Sequence, residues 1–288
     1  SLNAECSSGV CLPAGTCGLS ANDGGTTADI NYGPDSESSS DIASPADATT
    51  NGGSSTADGT EGSPDSVAPF SCKPDHNNAV ERDEIAFAAG ATANFRVAVG
   101  AEFDTTGTVA NDGTRTWDLA VQLEGDTDTK LETVAVADKW YASHFPNATY
   151  AARMAAGSDL LGVFRATDTE LQLQGVVSPS DGLFATRLTY DPPVAVMKFP
   201  LAPKTSWTVA TTVNGLAQGV IALYTEKYVM TVDATGALKT PFGNFPVLRV
   251  HTDLARKIGL LETRSQSHIF VAECYGAVAT VRSKDGQA

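Results

Sequence analysis

Positive charge is scarce in these 288 residues: 19 Lys and Arg stand against 34 Asp and Glu, for a formal net charge of -15. Duplex affinity rests largely on basic side chains displacing phosphate counterions, so nucleic acid is excluded as a partner. Long apolar runs are lacking as well. No stretch approaches the roughly 18 consecutive apolar residues of a spanning helix, and a soluble chain that does not span a membrane is expected. Catalytic signatures are equally sparse. The four histidines, His76, His144, His251 and His268, include no His-x-x-x-His pair, and neither a Gly-x-Ser-x-Gly elbow nor a phosphate-cradling loop is present. His268 and Cys274 lie six apart on one expected strand, roughly 20 Å by strand rise, too far for a dyad. No catalytic, metal-binding or cofactor-binding residue is therefore assigned, no cofactor is expected, and a non-enzyme is the reading.

The acidity is concentrated. Residues 1–75 hold eleven acidic residues and one basic residue, a net -10, and the remaining 213 residues carry 23 acidic and 18 basic side chains, a net -5. Residues 19–69 offer only Leu19, Ile30, Tyr32, Ile42 and Val67 as large apolar groups. So few cannot offset roughly 1 to 2 kcal/mol of backbone entropy per ordered residue. Three segments follow: a Cys-rich 1–18, an acidic low-complexity arm or linker over 19–75, and a folded domain over 76–288. The arm is expected to contact other protein subunits, copies of the same chain among them.

Of the five cysteines, Cys6, Cys11 and Cys17 sit in a Gly- and Ser-rich run with little to pack, which favours cross-links over zinc, for which the ligand spacing is wrong. Cys72 opens the folded region and Cys274 falls in a late strand; a disulfide joining the domain's two ends and a buried free thiol are both open for Cys274. An odd number leaves one thiol over. Disulfide candidates, a low-complexity arm and a chain that starts at Ser1 rather than Met suggest an extracytoplasmic protein numbered from a processed terminus, with a lipid anchor left open.

From about Phe95 onward, short alternating runs rich in β-branched residues are punctuated by turn residues. Examples are Glu170 to Val177, Trp207 to Val213, Val220 to Val232, Phe245 to Thr252, Leu260 to Ser267 and His268 to Arg282. Without long helices between them, such runs predict an all-β fold, an antiparallel sheet forming an open barrel or sandwich. Asn214-Gly215 predicts a type I′ hairpin turn, and Asp233 to Gly236 a second turn. In Phe245 to Thr252, Leu248 and Val250 share one face, and Arg249 and His251 the other, taken to be solvated. Asn78 to Ala89 is the best helix candidate, with Asn78 as cap.

Tyr190-Asp-Pro-Pro193, Lys198-Phe-Pro-Leu201 before Trp207, Thr240-Pro-Phe-Gly-Asn-Phe245 and Phe270-Val-Ala-Glu-Cys-Tyr-Gly276 carry a resemblance. The stretch from Tyr190 to Ser283 resembles a β-domain that recurs in bacterial envelope and secreted proteins, many of them lipoproteins. More loosely, it is similar to the open half-barrels of periplasmic lipoprotein carriers, which implies a concave apolar face able to shelter a lipid. The expected function is that of a structural or interaction subunit of an envelope or extracellular assembly, with an apolar-ligand half-barrel and a hydrolase with an unrecognised site as alternatives. Trp140, Tyr141, His144 and Phe145 form the one aromatic cluster that could make a binding rim.

Overall fold

The computed structural model describes residues 2–4, 72–155, 158–284 and 286, all within one compact unit. Cys6, Cys11, Cys17 and the acidic arm therefore lie outside the described residues. Among the described residues fifteen strands run in chain order: β1 Leu2–Ala4, β2 Thr92–Val97, β3 Ala101–Phe103, β4 Thr108–Val109, β5 Arg115–Asp118, β6 Thr127–Val134, β7 Tyr150–Ala155 and β8 Ser158–Ala166. They continue as β9 Glu170–Val177, β10 Arg187–Lys198, β11 Ser206–Ala217, β12 Val220–Thr240, β13 Gly243–Ile258, β14 Leu261–Ala272 and β15 Gly276–Arg282. The expected all-β class holds. One large antiparallel sheet, ordered β15-β14-β13-β12-β11-β10-β9-β8-β7-β6-β2, is not closed into a barrel.

The sheet follows the chain because consecutive antiparallel strands need only short turns. Its alternation places Tyr224, Tyr228, Met230 and Val232 of β12 on the same side as Trp207 and Val213 of β11 and Val250 and Leu254 of β13. These join Tyr150, Phe164, Leu171 and Leu173 from β7 to β9 and Ile269 and Ala277 from β14 and β15 in one apolar cluster. This side, which we call the concave face, carries the largest core cluster among the described residues. On the convex face, β5 pairs in parallel with β12 and buries Trp117 against Leu238, Val247 and Phe270. Gly236 is required there: a Cβ on it would sit 2.2 Å from the carbonyl oxygen of Arg115.

Several expected features are corrected. Asn78 to Ala89 contains only a short 3-10 turn, Arg82–Glu84. Asn78 is left-handed, at φ 66°, and Val80 is held instead by paired backbone bonds with Leu201. Val80 and Ile85 both enter the concave core at a spacing no single helix face provides. Asn214-Gly215 is not a turn but part of β11; the hairpin closes at Gln218-Gly219, at φ 51° and 78°. Gly215 serves close approach, since a Cβ there would lie 2.0 Å from the carbonyl oxygen of Arg187. Asp233 to Gly236 likewise stays within β12, with a bulge between Val232 and Ala234. Arg249 is not solvated but only 8% exposed, because the segment over residues 103–118 covers that face. Cys72 and Cys274 form a disulfide spanning 202 residues, so the free-thiol alternative for Cys274 falls.

Candidate functional site

Exposed apolar side chains are concentrated at one end of the sheet. Of thirteen exposed large apolar residues among those described, eight lie on three neighbouring turns. The connection from β9 to β10 carries Leu183 and Phe184, at 83% and 76% exposure. It lies against the β11–β12 turn, where the Gly219 amide donates to the Ala185 carbonyl at 3.2 Å and the Gln218 amide to the Thr186 hydroxyl at 3.0 Å. Just past this turn stand Val220, Ile221 and Leu223. The pairing of Thr225 with Lys257 sets the next turn, bearing Ile258, Leu260 and Leu261, beside the start of β12, about 10 Å behind Ile221 by strand rise.

The distribution across the ribbon matters more than the number. Successive residues of a strand point to opposite faces. Val220 shares the concave side with Tyr224, Ile221 and Leu223 share the convex side, and all three are exposed. Behind this apolar tip, Lys227, Lys257 and Arg264 stand exposed, one each on β12, β13 and β14. Among the described residues, Arg264 alone of these three stands in an ion pair, with Glu262 at 2.8 Å.

Polar groups occupy both faces just below. On the concave side, Glu226 and Arg256 are cross-strand partners at 2.7 Å, both almost fully buried, and the Tyr228 hydroxyl donates to Glu226 at 2.5 Å. Burial first, and then the Glu226 charge, hold the Tyr228 hydroxyl well above its usual range. A crevice beside them, lined by Tyr228, Thr252, Leu254 and Ser265 among others, has room for about 10 Å³, no more than one water. On the convex side, Arg249 grips Asp233 through Nε and Nη2 at 2.8 and 2.7 Å, lies over the Trp117 ring at 5.3 Å and also donates to the Thr105 carbonyl. His251 and His268 pair beside it. Burial, with the charges of Arg249 and His251 adding to it, pushes His268 down to about 4.

The aromatic rim divides. Tyr141 and Phe145 are interior, packed with Val136, Ala151, Val163 and Val177 beneath the connection between β6 and β7. Trp140 is half-buried, its indole N–H donating to the Ser178 carbonyl at 3.0 Å, and the exposed His144 touches Arg187 at 2.6 Å. Tyr141 and Phe145 thus belong to a small core, Trp140 packs against it, and His144 stands at the surface. The apolar end was not singled out from sequence. The signal was there: apolar residues immediately flanking Gln218-Gly219 and Gly259, where turns are ordinarily polar. Comparison with protein-family models, curated proteins and solved structures returned no match.

Proposed function

We propose that this chain is a non-enzymatic, exported interaction protein of the cell envelope or its surroundings, and that it attaches end-on to a lipid surface through the β11–β12 tip and the turns beside it. The observation that carries the reading is the exposure of Val220 and Ile221 on opposite faces of one ribbon. A flat protein partner covers one face; immersion in an apolar layer covers both. Full burial of Phe184, Ile221 and Leu260 would contribute on the order of 5–9 kcal/mol gross, enough for reversible attachment once association costs are met. Lys227, Lys257 and Arg264 stand where long basic side chains reach headgroups while their stems lie along apolar chains. Export is supported by the Cys72–Cys274 disulfide, since such bonds persist in oxidising compartments. The non-enzymatic reading is supported by the sequence, which carries no His-x-x-x-His pair, Gly-x-Ser-x-Gly elbow or phosphate-cradling loop.

The test is flotation of the full chain with phosphatidylcholine vesicles, with and without phosphatidylglycerol. Wild type should float with the vesicles and Ile221→Asp/Leu260→Asp should lose at least tenfold in partitioning, at unchanged thermal stability, because both side chains are solvated in the free protein. Absence of flotation with either vesicle overturns attachment to lipid. Self-association by the wild type, abolished by the same pair of substitutions, would replace it with docking onto other subunits.

A further inference from the structure

The group on the convex face takes no part in that attachment. His251 of β13 and His268 of β14 are direct cross-strand partners, their rings edge-on at 4.7 Å between centroids. Asp233 joins them because the bulge in β12 displaces it from ladder register. One ligand atom from each of the three lies within 4.8 Å of the other two. His268 is only 5% exposed and its Nδ1 has no hydrogen-bond partner, whereas buried polar atoms are almost always paired. We propose that Asp233, His251 and His268 form a binding site for a divalent transition ion of the zinc type.

Two imidazoles and one carboxylate match zinc and its neighbours, whereas calcium and magnesium take oxygen ligands only. Zinc bonds of about 2.0–2.2 Å require ligand atoms roughly 3.4 Å apart, so atoms now within 4.8 Å must close by up to about 1.4 Å. The Asp233 side chain, 28% exposed on its bulge, and that of His251, 22% exposed, have room to do it. Two neighbours orient them. The Asp253 carboxylate lies 3.2 Å from His251 Nε2, the carboxylate–imidazole pairing that fixes ring orientation around metals. Arg249 uses one lone pair of each Asp233 oxygen and leaves the others for an ion. Asp233 and Asp253 together outweigh the Arg249 charge, so the pocket is net anionic before an ion enters. Three protein ligands leave a fourth position on the ion for water.

Titration calorimetry of the untagged, chelator-treated full chain with zinc chloride should give one ion per chain at micromolar affinity or tighter. His251→Asn should weaken it at least tenfold, and His76→Asn and His144→Asn should leave it unchanged. Since His268 is buried, His268→Gln is read with circular dichroism, and the rise in melting temperature on adding zinc should vanish in His251→Asn, whose ring is partly solvated. No saturable binding, or equal binding by wild type and a folded His251→Asn, overturns the site.

Discussion

Glu84 shows how one side chain can answer a local need and still cost stability. Its carboxylate accepts the Glu81 amide at 2.7 Å and closes the 3-10 turn that replaces the expected helix. Burial holds its pKa above the ordinary 4.5; the Glu81 amide opposes this, and the nearby Glu273, Asp75 and Asp83 charges reinforce it. With the folded value raised, the unfolded chain releases its proton first as pH rises. Folding is therefore penalised from about pH 4.5 upward through the raised value, and not below. Glu84→Gln keeps an oxygen acceptor for the amide and removes the charge. Urea denaturation should show the variant more stable than wild type at pH 7 and equal to it at pH 3. A variant less stable than wild type at pH 7 and equal to it at pH 3 would mean that the ionised carboxylate is favourable where it stands.

At the scale of the element, glycines in this chain divide between turning the backbone and letting strands approach. Asn-Gly is the strongest two-residue hairpin signal, yet Asn214-Gly215 sits inside β11 because Gly215 faces the Arg187 backbone. The turn belongs to Gln218-Gly219, both left-handed. Gly215→Ala should then cost about 2 kcal/mol or more through the clash and the positive φ of 140°. Gln218→Asn should add about 0.5 kcal/mol, Asn tolerating the left-handed region better than Gln. Chemical denaturation of the two variants distinguishes this from a turn at 214–215, in which Gln218 would be extended and Gln218→Asn would bring no gain. Strands such as Glu170–Val177 were legible because alternation survives where one face is buried. The turns at 214 and 233, and the solvated face given to Arg249, were misread because strand neighbours distant in sequence decide them: Arg187 packs on Gly215, Arg115 on Gly236, and the 103–118 segment on Arg249. The His251–His268–Asp233 group escaped motif spacing for the same reason, since cross-strand register rather than chain distance brings it together.

For the whole molecule, the question is what holds an open sheet in one shape when no closing strand pair joins its ends. Side chains from β7 to β9 and from β13 to β15 share one concave core, and the segment before β2 reaches across it. Val80 bonds to Leu201, Ile85 lies 3.3 Å from where a Cβ on Gly276 would sit, and Cys72 is joined to Cys274 in the β14–β15 turn. The disulfide thus ties the start of the described domain to its far sheet edge. Linking residues 202 apart removes loop-closure entropy worth about 5 kcal/mol from the unfolded chain in the chain-entropy description, a large share of a typical domain stability of about 5–15 kcal/mol. Cys72→Ser/Cys274→Ser should accordingly lower stability by up to about 5 kcal/mol, read from the urea midpoint. Hydrogen exchange should show where the loss falls: if the bond acts on the unfolded state alone, protection declines uniformly across β7 to β15. Loss confined to residues 72–85 and β15 would mean that the bond holds a local flap, and the sheet's shape would then rest on the concave core without it.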